Sequence, residues 1–393
     1  MGRRDHLERL LYTFRRDDAA VARRDAEGGQ RVLGKYKKLR KSPYKLFRAT
    51  NPTFIADLES LPEYWRMPGH EIAGPLLGDA HPENFGAVGA SAAEAQVDCT
   101  DFDVVVSGPL ARDLARAACG LAVAELQRQG RDPDDKRALD GDVGERTLGR
   151  VRRLATTWAE QILTGTGKLP DPAAFAALLR AVDVPADRVV LDDSTHVLAP
   201  HPDLGAVRAG LASYAATTPA AAGAQLEAAW RLHGKGASSF AVDRVIVRLA
   251  LAGGARRIVE WKPQADAPAV CQAFRERRNP ATCDPLLGLV SMDGVGHVAQ
   301  RWLVEEQKVK SRDLQGAFAD DVAQLVAVRL ADMHRRHTPL IIERVRSQPV
   351  STIADALADL VAAYVPVLAN EWRAFVETPG EELLRRLGLG PGA

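Results

Sequence analysis

Gly78-Asp-Ala-His-Pro-Glu-Asn84-Phe85, followed 17 residues after Asn84 by Asp101-Phe-Asp103, is the stretch on which the reading of this chain turns. An Asp with an Asn five residues on, and then an Asp at the end of a short hairpin, is the residue set that phosphotransfer from an ATP–Mg²⁺ complex needs. The first carboxylate accepts or orients the acceptor's hydroxyl proton, and the Asn and later Asp offer hard oxygen ligands to Mg²⁺. Asp79 takes the first role, Asn84 and Asp101 the ligand roles, with Asp103 as a second metal carboxylate. Either half alone marks no more than a turn or a helix cap. The two at this spacing, with Gly and Pro forcing an irregular loop between strands, point to chemistry.

The composition around this stretch is that of an ordinary globular chain: 393 residues, 46% hydrophobic and 26% charged. It excludes disordered, collagen-like and disulfide-rich classes, and the length suits two or three folding units. A net charge of +1 implies no polyanionic partner and argues against nucleic acid, although residues 1–48 hold 15 Lys/Arg against 6 Asp/Glu, a local +9 that leaves −8 for the rest. Cys99, Cys119, Cys271 and Cys283 are too few and scattered for a disulfide framework and form no zinc pattern. The charged N-terminus leads into no apolar signal region, and no stretch reaches the roughly 18 apolar residues of a membrane span. The expectation is a cytoplasmic protein that acts on neither membrane nor nucleic acid.

Leu7, Leu10, Leu11 and Phe14 space out one narrow helical face in a basic N-terminal segment. Glu71 to Cys99 reads as short strands, Leu110 to Gln129 as a buried helix, and 144–233 as mostly helical, including the Ala-rich 215–229, with interruptions around Gly165 to Asp171 and Asp192 to Pro202. The period then changes to alternation. Val245, Val247, Leu249 and Leu251 form a strand, Gly253-Gly254 a turn, Arg257 to Lys262 a second strand, and Leu286 to Val304 a hairpin around Asp293-Gly294. A sheet of about four strands is therefore expected, preceded and followed by helices, with helical spacing again over 322–334, 352–376 and 381–387.

Gly-Asp-Ala-His-Pro-Glu-Asn resembles the catalytic loop of the aminoglycoside phosphotransferase and choline kinase group, and Asp101-Phe-Asp103 its metal-binding segment. Gly108-Pro-Leu-Ala-Arg-Asp113-Leu-Ala115 is similar to the stretch that follows in those kinases, where the Asp is structural and holds the catalytic loop by hydrogen bonds. Ser42-Pro-Tyr-Lys-Leu-Phe-Arg48, with these motifs, gives a closer resemblance over most of the chain to a bacterial family, domain of unknown function 2252.

The kinase resemblance implies a β-rich nucleotide lobe, and the sheet lies downstream of the catalytic loop rather than before it. His233-Gly-Lys-Gly-Ala-Ser-Ser239 would offer backbone N–H groups to phosphates, with Gly234, Gly236 and Ser238 as the contacts. Lys262 then stands where a kinase places its α/β-phosphate lysine, Glu276 on the next helix where its ion-pair partner belongs, and Trp302 at the hinge. The expectation is an α+β, protein-kinase-like two-lobed fold, circularly permuted. Residues 1–70 would form a basic helical extension, 71–233 the catalytic loop and helical lobe, 234–310 the nucleotide lobe, and 311–393 the helices completing the helical lobe. The sequence departs from that pattern at Leu77, where many kinases have His, and at Glu260, which shares a strand face with Lys262. Arg48 suits phosphate recognition and His81 suits substrate contact, while each also suits a structural role.

The expected activity is ATP- and Mg²⁺-dependent phosphotransfer to a hydroxyl of a small molecule or peptide. Two alternatives are a non-catalytic nucleotide-binding scaffold and a phosphatase of the haloacid-dehalogenase type. The latter rests on Val97-Asp-Cys-Thr-Asp101-Phe-Asp103, with Asp101 as nucleophile, and requires a parallel βαβ series.

Overall fold

Leu7, Leu10, Leu11 and Phe14 are all buried on helix α1 (Arg3–Ala22) in the computed structural model of the chain. The structure describes residues 3–23, 28–89, 91–101, 106–129, 143–183, 197–233, 240, 242–277, 283–303 and 307–388. After α1 come α2 (Gly28–Leu39), α3 (Pro43–Ala49) and α4 (Asn51–Ser60). The Ser42 hydroxyl caps α3 by accepting from the Lys45 N–H at 3.2 Å, and Pro43 occupies the first turn, where its missing N–H costs nothing.

Strand β1 (Ala73–Leu76) leads to the 77–84 loop, β2 (Phe85–Val88), β3 (Gln96–Cys99), β4 (Val106–Pro109), α5 (Ala111–Gln129) and α6 (Glu145–Thr164). There follow β5 (Val197–Pro200), α7 (Leu204–Thr217), β6 (Gln225–His233), β7 (Arg244–Ala250), β8 (Arg256–Pro263), α8 (Ala267–Arg277), β9 (Gly288–Met292) and β10 (Val295–Arg301). The chain closes with α9 (Gly316–His337), α10 (Val350–Glu377) and short helices around and after α10.

The chain divides into two units, each assembled from separate segments. The first comprises Met1–Phe85, Val106–Ala174 and Val309–Ala393; the second comprises Gly86–Val105 and Phe175–Lys308. The chain is thus mixed α+β, with helices dominating the first unit.

In the first unit α10 carries Leu357, Val361, Tyr364, Leu368 and Phe375 into the core. Phe14 and Tyr36 pack on Phe375 with ring centroids 6.3 and 5.5 Å away. The N-terminal segment is therefore part of this core rather than an extension, and some of its charge is spent internally. Asp18, fully buried, accepts from Lys35 Nζ at 2.6 Å and Tyr36 Oη at 2.7 Å, while Arg9 pairs with buried Asp57. Among the described residues α10 is the one helix long and apolar enough to cross a membrane, and 61% of its apolar window is buried inside the protein. Asp355 and Asp359 interrupt its apolar run.

The second unit is built on an antiparallel sheet in the order β5-β6-β7-β8-β10-β9. The strands expected over 244–304 are present. Gly254 (φ 79°) serves the β7–β8 turn, and Asp293 (φ 52°) with Gly294 (φ 74°) makes the tight β9–β10 turn. The sheet also has one strand where helix was expected. Gln225–His233 contains Leu, Ala and Glu, good helix formers, yet it forms β6 because its backbone groups are satisfied by ladders to β5 and β7. The helical expectation for 144–233 thus fails at β6, while β5 falls in the interruption expected around 192–202.

Strand alternation gives the sheet two different faces. Val245, Val247, Leu249, Val259, Trp261 and Val290 pack against Val207, Leu211 and Tyr214 of α7. On the opposite face Leu232, Ile246, Ile258 and Trp302 form a smaller apolar cluster. Lys262 lies in alternation with Ile258 on β8 and therefore belongs to this second face.

Candidate functional site

The 77–84 loop belongs to the first unit, and side chains from several helices hold it. Asp113, in the first turn of α5, accepts the N–H groups of Leu77 (2.6 Å) and Gly78 (3.1 Å) on its two carboxylate oxygens. Behind it, fully buried His334 of α9 accepts from Trp158 Nε1 at 3.3 Å on Nδ1 and turns Nε2 towards Asp113, 3.7 Å away. Asn51 Nδ2 donates to the Gly78 carbonyl at 2.6 Å, and Asn84 Nδ2 to the Asp79 carbonyl at 2.7 Å. The second bond closes the loop on itself. The loop rests on α5 at Gly120, where a Cβ would stand 2.6 Å from Pro82 Cδ.

Asp79 is gripped by Arg116, which the sequence motif did not single out. Arg116 Nε donates to Asp79 Oδ1 at 2.7 Å, Nη2 donates to the Phe47 carbonyl at 2.8 Å, and the guanidinium stacks 3.6 Å from the Phe47 ring centroid. Its side chain is 1% exposed, while that of Asp79 is 21% exposed. One signal could have found it: Arg116 lies three residues after Asp113, on the same side of α5.

His81 Nε2 lies 3.4 Å from Asp79 Oδ2 and accepts from Arg48 Nε, also at 3.4 Å. Arg48 Nη1 pairs with Glu83 Oε2 at 2.5 Å, and Glu83 Oε1 accepts the Ser311 N–H at 2.7 Å. Arg48 therefore ties α3 to the loop through Glu83.

These contacts set the protonation states. Burial pushes the Asp79 carboxyl up, but His81 and Arg116 outweigh it and hold the group well below the usual carboxylate range. Burial likewise raises Glu83, and Arg48 with Ser311 brings it below its ordinary value. For His81 burial is the larger effect and lowers the imidazole despite the opposing charge of Asp79. Asp79 is thus an ionised, oriented carboxylate, suited to accepting a hydrogen bond from a hydroxyl and a weak proton acceptor in its resting state.

The second unit holds a separate group. Lys262 is buried near the end of β8, and burial lowers its ammonium below the ordinary lysine value. Asp101 opposes that shift and Lys308 adds to it, so both charges act on Lys262. Asp101 follows β3, where the Cys99 thiol donates to its backbone carbonyl at 3.2 Å. Two positions from Lys262 on the same face, Glu260 forms a buried 2.6 Å ion pair with Arg244 of β7 and accepts from Gln300 Nε2 at 3.3 Å.

Other expected residues fall differently. Glu276 lies exposed on α8, where it accepts from Gln272 Nε2 at 2.5 Å. Trp302 is buried with Leu232, Ile246 and Ile258, and its backbone N–H is taken by the Ile258 carbonyl at 2.9 Å, which removes that donor from any hinge role. Asp103, Gly234, Gly236 and Ser238 lie outside the described residues. Among the described residues no three His, Cys, Asp or Glu side chains come together as a metal group. Asn84 belongs to the first unit and Asp101 to the second. Each residue type offers a hard oxygen of the kind Mg²⁺ takes.

No curated protein and no solved structure matches the chain. Residues 29–164 match the model of one family, described as "uncharacterized protein conserved in bacteria (DUF2252)". That is about a third of the chain, less than the resemblance over most of it that the motifs implied, and it takes in every motif from Ser42 to Ala115.

Proposed function

We propose that this protein is an ATP- and Mg²⁺-dependent phosphotransferase with a hydroxyl-bearing small molecule or peptide as acceptor, on a circularly permuted kinase-like fold. The observation that carries the proposal is the electrostatic pairing of Lys262 with Asp101 inside the second unit, across roughly 160 residues of sequence. A phosphate-binding lysine and a metal-binding carboxylate are the two charges that one metal–triphosphate unit requires near each other. The order of parts supports the same reading. A glycine-containing segment, β7, β8 with Lys262, α8 and the β9–β10 hairpin follow one another as the parts of a kinase nucleotide lobe do. Lys262 would then take the α/β-phosphates and Asp101 the metal. Mg²⁺ supplies charge neutralisation on the phosphates when it is bound.

Asp79 would orient the acceptor hydroxyl for in-line attack. Its depressed pKa makes it an orienting and electrostatic group first, with the proton leaving late in the transfer. The antiparallel sheet offers nothing to the phosphatase alternative, which needs parallel βαβ units.

The test is a pair of variants assayed for ATP hydrolysis or autophosphorylation and for nucleotide binding by calorimetry. Asp79→Asn should leave Mg–ATP affinity nearly intact and lower turnover by roughly 10²- to 10⁴-fold. Asp101→Asn should weaken Mg–ATP and leave metal-free ATP much less affected. Indifference of the wild-type protein to every nucleotide, with or without Mg²⁺, would overturn the proposal.

A further inference from the structure

Asp113, Arg116 and Gly120 stand three and four residues apart along α5, so they share one face of the helix, and the 77–84 loop lies on that face. Asp113 takes the amides of Leu77 and Gly78, and Arg116 takes Asp79 Oδ1. Gly120 leaves room for the loop, since a Cβ there would stand 2.6 Å from Pro82 Cδ and 3.4 Å from His81 Cβ. The guanidinium is fixed from its other side as well. Its Nη2 donates to the Phe47 carbonyl at 2.8 Å, and its Cζ lies 3.6 Å from the Phe47 ring centroid and 4.8 Å from that of Phe54. Those two rings meet edge to face, 5.6 Å apart, and both pack on Tyr364 of α10, 6.2 and 5.0 Å away. Arg116 thus connects Asp79 to the aromatic core of its unit.

Stability alone is a poor account of this arrangement. Burying a guanidinium against a carboxylate costs desolvation that a well-packed apolar pair of similar volume does not incur. Arg116 Nη1 is buried and has no hydrogen-bond partner among the described residues, which adds to that cost. What the ion pair supplies, and an apolar pair cannot, is direction. A carboxylate on two rotatable bonds is held in one orientation, with Oδ1 committed to Arg116 and Oδ2 turned to the side where His81 Nε2 lies 3.4 Å away. We propose that Arg116 is the positioning residue of Asp79, aiming the carboxylate so that Oδ2 rather than Oδ1 receives the acceptor's hydroxyl. Phe47 and Phe54 are the seat that keeps the guanidinium still, which gives the Ser42–Arg48 motif a part in the site through Phe47. The proposal rests on the phosphotransferase reading for the reaction that Asp79 serves, and not for the geometry.

The experiment uses the full chain, with ATP hydrolysis for turnover, calorimetry for Mg–ATP affinity and a crystal structure of each variant. Arg116→Lys keeps the charge but loses the fork that reaches Asp79 and the Phe47 carbonyl together. Arg116→Gln, neutral and still a donor, is the second variant, and thermal melts establish that each is folded at the assay temperature. In both, kcat should fall on the order of 10²-fold, the cost of misplacing a reacting group by about 1 Å, while the Mg–ATP dissociation constant stays within about threefold of wild type. A double-variant cycle separates aiming from general support. Where Arg116 acts through Asp79, Asp79→Asn/Arg116→Lys should be no more than about threefold slower than Asp79→Asn alone, whereas a merely structural loss would multiply the two deficits. In the crystals the Asp79 carboxylate should hold one orientation in wild type and several in Arg116→Lys.

Wild-type turnover in both folded variants, or a double variant slowed by the product of the two single losses, would overturn the proposal and leave the phosphotransferase reading standing. Loss of folding in both variants would make Arg116 a structural residue and overturn it as well. A wild-type protein that neither hydrolyses ATP nor binds a nucleotide would discard the phosphotransferase reading instead. The orientation of Asp79 then decides the matter: one unchanged carboxylate orientation in both variants overturns the positioning role, and several uphold it.

Discussion

The 77–84 loop and the Lys262 group solve opposite problems. In the loop nearly every polar atom has a protein partner: Asp113 on two amides, Asn51 and Asn84 on two carbonyls, Arg116 on Asp79, Glu83 between Arg48 and Ser311. Around Lys262 the backbone is fixed by the ladders of β8 to β7 and β10, and burial, which lowers the ammonium, is opposed by Asp101. The loop is preorganised by hydrogen bonds that cost no rearrangement when substrate arrives. The lysine group is preorganised by the strand ladders on either side of it. Side-chain hydrogen bonds thus hold the first group and a backbone ladder the second.

The largest test of this contrast is Arg116→Ala. It strips the partially buried Asp79 of its 2.7 Å ion-pair partner and of the bond from Nη2 to the Phe47 carbonyl, so stability should fall by about 3–5 kcal/mol in urea unfolding. A loss below about 1 kcal/mol would show that the loop is not tied in the way described.

A smaller effect compares helix glycines. Gly120→Ala places a Cβ 2.6 Å from Pro82 under the loop and should cost about 1–3 kcal/mol. Gly210→Ala, on α7, meets Trp261 and Val290 at 3.1 and 3.2 Å, contacts that yield more easily, and should cost under about 1 kcal/mol. Equal costs would blur the distinction between a rigid loop support and an adjustable helix–sheet seam.

The smallest effects are in pH. Asp79 and Glu83 have folded pKa values below their unfolded ones, so their stabilisation is complete above about pH 4 and is lost as pH falls through the folded values. The melting-temperature gap between wild type and Asp79→Asn should therefore close on acidification. Lys262 is depressed too, and for a cation this means that the unfolded chain holds the extra proton between the two values. Wild type should accordingly gain stability relative to Lys262→Met as pH climbs towards about 10.4. Parallel curves in either range would remove the corresponding pKa shift.

Much of the architecture is written locally. The α1 stripe, the Ser42-Pro43 cap, the buried face of α5 and the Asp293-Gly294 turn each depend on residues a few positions apart, and each forms where its pattern stands. The misses are nonlocal. β6 has helix-forming residues and becomes a strand because β5 and β7 supply ladder partners. Glu260 interrupts an apolar strand face because Arg244, 16 residues earlier, neutralises it. Lys308 sits in no motif at all, and its place depends on a glycine more than 200 residues upstream.

The segmented make-up of the second unit has a consequence for biogenesis. Gly86–Val105 leaves the ribosome some 70 residues ahead of Phe175 and about 200 ahead of Lys308, the far end of its own unit. At roughly 5–20 residues per second, that hairpin spends on the order of ten seconds or more without the sheet it belongs with, while β1 and β4 on either side already have each other to pair with. Translation speed between codons 106 and 308, and the chaperones met during that interval, should therefore govern the yield of native protein more than the intrinsic stability of either unit.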